Sequence, residues 1–184
     1  MWSREIRLLL RLAAVMALAG AVGGCFQPLY GERAPNGGPA IRDMLAAVDI
    51  EPIAVPNGGP LSRIAVQVQN ELRFGLTGGA GSGAPTHRLV IKMSSGISSI
   101  IIDRDTGRAE FNNFNLDATY TLTEIVSNKA VATGSAVTRV TYDIPGQEQR
   151  FSQFAGQRDA EGRAAKLLAE QIKSRLASYF VAGT

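Results

Sequence analysis

Two side chains bound the chemistry open to this 184-residue chain: Cys25 is its only cysteine and His87 its only histidine. No disulfide can form within the chain. A structural zinc site takes about four ligands from Cys, His or acid, so a thiolate or imidazole cluster is excluded. A Cys–His pair is formally open, but Cys25 closes an apolar leader, whereas His87 opens a strand-like segment after a glycine loop. A serine triad would need His87 as its base, and no G-x-S-x-G elbow precedes a helix. Carboxylate pairs stay open, because any two acids can meet in a fold. The glycine run Gly78–Pro85 (GGAGSGAP) lacks the Lys-Ser or Lys-Thr of a phosphate loop, since the next lysine is Lys92. It reads as a plain loop.

Cys25 has a better explanation. Arg4, Arg7 and Arg11 precede an uninterrupted apolar or small-residue run, Leu12–Val22, and Gly23 and Gly24 lead directly into the cysteine. This is the layout of an export signal, and the run is too short for a spanning helix, which needs about 20 residues. Val22-Gly23-Gly24-Cys25 resembles a bacterial lipobox, in which the cysteine receives lipid and becomes the mature N-terminus. The plainer alternative is an ordinary signal with an incidental cysteine. Lipidation is favoured, because it explains the lone thiol of an exported chain. Removing Arg4, Glu5, Arg7 and Arg11 from the formal charge of +3 leaves +1. Such a neutral chain gives no reason to expect nucleic-acid binding.

The elements that follow must position whatever the chain binds. Two copies of Pro-Asn-Gly-Gly-Pro, at 35–39 and 56–60, are turn punctuation, and Leu45–Ile53 between them reads as a first strand. Leu61–Leu76 fits a helical stripe (Leu61, Ile64, Ala65, Val68, Leu72, Leu76) and also a strand face; Ser62 as N-cap and Gly75 near the end favour helix. Arg88–Asp103 is apolar and β-branched, with Ser94-Ser95-Gly96 expected to bulge or bend. A hairpin turn is expected at 103–108. Phe114, Leu116, Ala118, Tyr120 and Leu122 then alternate with Asn115, Asp117, Thr119, Thr121 and Thr123, which predicts one face on a core and one in water. A fourth strand is expected over Val131–Asp143. Asp159 is placed as cap of a last helix reaching Phe180, with Ala165, Leu168, Ala169, Ile172 and Leu176 on its apolar stripe. The order β-α-β-β-β-α predicts an α+β two-layer sandwich, a four-stranded mixed sheet with two helices on one face.

With that order, the whole mature chain resembles the LptE family of lipopolysaccharide-assembly lipoproteins. Three features carry the likeness. The opening Cys25-Phe26-Gln27-Pro28-Leu29-Tyr30-Gly31 is similar to the Cys-(Gly)-Phe-x-Pro-Leu-Tyr-Gly start of alphaproteobacterial members, without the glycine often found after the cysteine. A polar, glycine-containing turn joins strands two and three. Ala160-Glu161-Gly162-Arg163-Ala164 is similar to the acidic/Arg-Ala start of their C-terminal helix. The resemblance implies a signal peptide at 1–24, a lipidated linker at 25–44 and an LptE-like domain at 45–184. It implies a non-enzymatic protein without cofactor or metal, anchored by lipid on Cys25. Its partners would be the outer-membrane barrel LptD, in whose lumen it sits, and lipopolysaccharide, which it helps deliver to the outer leaflet. Phe26 after the cysteine, where enteric sorting would read aspartate as inner-membrane retention, implies the outer membrane. By position, Arg104 or Arg108 in the turn and Arg158 before the last helix are the candidate lipopolysaccharide contacts, as guanidinium groups suit phosphate and carboxylate. The competing account of each is a solvated charge, with Asp103 and Asp105 neutralising the turn. Two other readings stay open: an accessory lipoprotein of another lipid-trafficking transporter, and, least favoured, a lipid-anchored hydrolase using His87 or a carboxylate pair.

Overall fold

A computed structural model describes residues 40–56, 58–79, 83–102, 109–143 and 150–182. Their elements are α1 (Ile41–Ala46), β1 (Val48–Ile50), α2 (Pro60–Thr77), β2 (His87–Ile102), β3 (Ala109–Glu124), β4 (Lys129–Asp143) and α3 (Arg150–Ala182). The four strands form one sheet in the order β1-β2-β3-β4. β1 lies parallel to β2, and the other two pairings are antiparallel. The predicted α+β class and mixed four-stranded sheet are what the chain adopts.

The alternation on β3 does what the sequence requires. Phe114, Leu116, Ala118, Tyr120 and Leu122 are all buried, and so are Ala136, Thr138, Val140 and Tyr142 on β4. These side chains share one sheet face, which α2 and α3 cover. The predicted stripe of α2 is equally clear: Ile64, Ala65, Val68, Leu72 and Leu76 are buried. Its cap differs from expectation. Gly59 is the N-cap, Pro60 takes the first helical position, and Ser62 Oγ donates to Gly59 O at 2.6 Å. Proline needs no N–H there, so the helix starts three residues earlier than a Ser62 cap would allow. At the other end Gly78 adopts φ 65°, and its N–H donates to Phe74 O at 2.8 Å, a left-handed cap that glycine adopts without Cβ strain.

Four expectations are corrected. The first strand is shorter than Leu45–Ile53, because Ile41 and Leu45, one turn apart, bury themselves against the helices and hold α1. The folded unit therefore begins before residue 45. Ser94-Ser95-Gly96 pairs regularly with Asp117, Leu116 and Asn115; the register shifts lie further on, between Ser99, Ile101 and Ile102. α3 starts at Arg150, so Asp159 is no cap but an i,i+4 partner of Arg163, with Nε–Oδ2 2.7 Å. Arg158 accordingly sits inside the helix, in its third turn, and not before it.

α2 and α3 run in the same direction. Arg63, near the start of α2, meets Glu161, about a third of the way along α3, and a Cβ on Gly75, near the end of α2, would lie 3.3 Å from the Lys173 side chain further along α3. α3 crosses the sheet diagonally: Gly156 lies by Tyr142 and Asp143 at the end of β4, while Phe180 meets His87 at the start of β2, ring centroids 5.2 Å apart. Glu161 is only 1% exposed. Its carboxylate accepts from Arg63 Nη2 at 2.8 Å and from Gln157 Nε2 at 3.0 Å, so the buried charge is paired and hydrogen-bonded. The Ala160–Ala164 stretch that carried part of the family likeness is thus a packing device, in which Gly162 lets Gln67 approach.

Candidate functional site

The helices leave the second sheet face open. Along it lie Ser94, Gly96 and Ser98 of β2, Asn113, Asn115 and Asp117 of β3, and Arg139 and Thr141 of β4. The register sets these positions side by side: Ser94 against Asp117, Gly96 against Asn115, and Asn115 against Arg139. Because strand residues alternate, this face is one residue out of step with the core face on every strand.

Gly96 makes a dip in it. A Cβ there would find no heavy atom within 4 Å, and the side chains around it wall a shallow hollow of about 480 Å³. Asn115 Nδ2 donates to Ser98 Oγ at 3.1 Å, and Thr141 Oγ1 donates to Asn113 Oδ1 at 2.8 Å. These bonds hold the amides upright while leaving further donors and acceptors unused. A second hollow of about 300 Å³ continues the face past Lys92, Thr119 and Ser135. The face offers many neutral hydrogen-bonding groups and few charges. Its hydroxyls and amides can dock on a polar surface.

The two ends of the molecule differ from this middle. At the end where β2 stops and β3 starts, α3 projects its first turns beyond α2. Phe151 there is 88% exposed and Phe154 65%, while Ile97 on β2 is half exposed because no helix covers that corner. Arg158 is exposed on the same stretch of helix. It stands beside, but does not line, a groove of about 610 Å³ between Thr141–Asp143 and Ser152–Arg163. Arg104 and Arg108 belong to the 103–108 turn, which lies outside the described residues, as does Cys25. The described strand ends Ile102 and Ala109 lie at the end of the sheet that carries Arg158. Phe151 and Phe154 escaped sequence reasoning; their spacing of three was the available signal, lost when the helix was started at Asp159.

At the opposite end, the His87 imidazole meets the Phe180 ring, and its Nδ1 lies 2.8 Å from Thr86 Oγ1. Burial lowers its pKa from the ordinary value, with the Glu124 carboxylate acting in the opposite sense. Among the described residues no three His, Cys, Asp or Glu side chains group as a metal site. No described helix is long and apolar enough to cross a membrane.

The domain is thus a two-layer α+β fold with an open, hydroxyl- and amide-rich sheet face. The comparisons carry that further. The family model described as LptE, lipopolysaccharide-assembly, matches residues 45–176, and the chain belongs to that family. Its fold is shared by a putative lipoprotein from Caulobacter crescentus, at 17% identity over 78% of this chain and 97% of the other, TM-score 0.59. It is shared too by the rare lipoprotein B from Shewanella oneidensis, at 14% identity over 73% and 96%, TM-score 0.52. No curated protein matches the sequence.

Proposed function

We propose that this chain is a non-enzymatic outer-membrane lipoprotein, exported by residues 1–24 and anchored through acylated Cys25, that occupies the lumen of the LptD barrel. There it supports barrel assembly and the passage of lipopolysaccharide to the outer leaflet. Family membership supplies the lipopolysaccharide-assembly role. The observation that carries the finer reading is the open face around Gly96, Asn113 and Asn115. A polar surface of neutral amides and hydroxyls is what the polar interior of an outer-membrane barrel can hydrogen-bond. Arg158, exposed near Phe151 and Phe154, and Arg104 and Arg108, which lie outside the described residues, are the candidate cationic contacts for the phosphates of lipopolysaccharide. The exposed Phe151 and Phe154 suit the apolar part of the same amphiphile.

The test is affinity purification of the tagged full-length protein from outer membranes in mild detergent, with mass spectrometry of its companions. A near-stoichiometric large β-barrel is the expected result. The protein recovered alone, or with an inner-membrane transporter, overturns the barrel reading in favour of an accessory lipoprotein of another transporter.

A further inference from the structure

The two edges of the sheet are finished differently. On β4 the outward main chain is met by α3: Gln171 Nε2 donates to Val137 O at 3.3 Å and Arg163 Nη2 donates to Thr141 O at 3.4 Å. A bare strand edge is a template for another strand, and a covering helix is one of the usual protections. The opposite edge has no such cover over most of its length. β1 pairs only with His87–Leu89, and the last bond is from Glu51 N–H to Leu89 O at 3.0 Å. Pro52 has no N–H to continue the ladder, and the chain goes on to begin α2 at Pro60.

Leu89 fixes which groups of β2 look outward. Its carbonyl is turned to β1, and the main-chain groups of a strand reverse direction at each successive residue. The β2–β3 register runs without a shift from His87 to Ser99. Met93, Ser95 and Ile97 therefore turn N–H and C=O away from β3, while Ser94, Gly96 and Ser98 bond to it. The β4 edge gives the same phase independently. If Ser94 bonds Asp117, then Leu116 bonds Thr138, and Val137 and Thr141 must face out, where α3 meets them. Among the described residues none bonds the outward groups of Met93, Ser95 and Ile97, and Ser94–Ser99 are all exposed. From Met93 to Ile102 the strand also lacks charge and proline, the residue types that ordinarily keep an edge single.

A strand added along Met93–Ser99 would run for about 20 Å. On one side it would continue the polar face beside Ser94, Gly96 and Ser98. On the other its side chains would lie next to half-buried Met93 and to Ile97, which is 50% exposed. A segment that alternates polar and apolar residues suits both. We propose that this edge takes up an extended segment of the barrel protein by main-chain pairing, adding a strand to the sheet. The proposal rests on the barrel reading above and deepens it: the edge borders the face read as lying against the barrel, so one partner meets both. A closed barrel has no free edge in its wall, so the segment is a loop that enters the lumen.

The test is hydrogen exchange at single-amide resolution on the full-length lipoprotein, alone and in complex with the barrel it captures. Alone, the Met93, Ser95 and Ile97 amides are expected to exchange fast and those of Ser94, Gly96 and Ser98 slowly. In the complex the first three should slow by at least about tenfold. A captured barrel that leaves them fast overturns the pairing and leaves the barrel reading intact. No captured barrel overturns that reading and the pairing with it. Slow exchange already in the protein alone assigns the edge to the chain's own N-terminal segment or a second copy, and also overturns the proposal. Ser95→Pro removes an N–H that the β2–β3 ladder does not use. It should reduce the captured barrel roughly fivefold, while Ser95→Ala, which keeps the N–H, retains it. Capture unchanged in Ser95→Pro, or equal losses in the two variants, counts against main-chain pairing. Should Ser95→Pro fail to fold, the exchange pattern of the unsubstituted protein decides.

Discussion

The two faces of the β2–β4 sheet are built from the same three strands one residue apart, yet they carry different loads. On the covered face Leu89, Leu116, Leu122 and Val140 are closed off by α2 and α3. On the open face Ser94, Asn113, Asn115 and Arg139 face outward over hollows that none of the described residues fills. The covered face supplies the free energy of folding through buried apolar area. The open face contributes little to stability and is free to be chosen for what it touches. The strand period lets the two roles be changed separately, and a set of substitutions can break or sharpen that separation.

The largest effect belongs to the covered face. Leu116→Ala removes a fully buried side chain between β3 and α3 and is expected to cost about 2–5 kcal/mol, read as a lower urea midpoint at unchanged slope. Arg63→Ala comes next. It strips the buried Glu161 carboxylate of its ion pair, leaving only Gln157, and the expected loss is about 2–3 kcal/mol, given that Arg63 itself is half exposed. Gly134→Val probes one corner of that face: a Cβ there would lie 2.5 Å from Tyr120 Oη, so the ring must move. A cost of about 1–3 kcal/mol follows from such overpacking.

The open face should behave in the opposite way. Asn115→Ala together with Arg139→Ser is expected to leave stability within roughly 0.5 kcal/mol of the parent for each change, while reducing co-purification of the barrel. If these variants unfold the protein, the separation of roles is wrong. The smallest effect is the pH response of His87. Its folded-state pKa lies below its ordinary value near 6.5 because burial disfavours the imidazolium. The unfolded chain then takes up the proton first, so stability is full above that value and declines as pH falls below it. A small drop in urea midpoint between about pH 7.5 and about pH 5.5, abolished by His87→Gln, is the expected outcome.

The faces also differ in how far the sequence exposes them. The parity of β3 was readable because one side of the strand meets a core and the other water, which is the condition under which alternation arises. Where both sides meet solvent the signal vanishes. Ser94–Ser99 is exposed on both faces, and a bulge was expected where the pairing is regular. The first turns of α3 project past α2 with no core to face, so Phe151 and Phe154 stand alone there as a two-residue signal too short to define a stripe, and an Asp159 start is the natural reading. α1 is six residues long, and two buried residues one turn apart are too few to define a period. The polar face itself was legible; the hollow at Gly96 was not, since it depends on which residues the register sets beside that glycine.

The central claim is that the open face lies against the barrel. It is tested most directly by placing a photo-crosslinking amino acid at Asn115 on the open face and, separately, at Asn70 on the exposed side of α2, in cells making the full-length protein. Crosslinks from Asn115 to a large outer-membrane β-barrel, stronger than any from Asn70, are the predicted result. Barrel crosslinks from Asn70 with none from Asn115, or none from either, would contradict it.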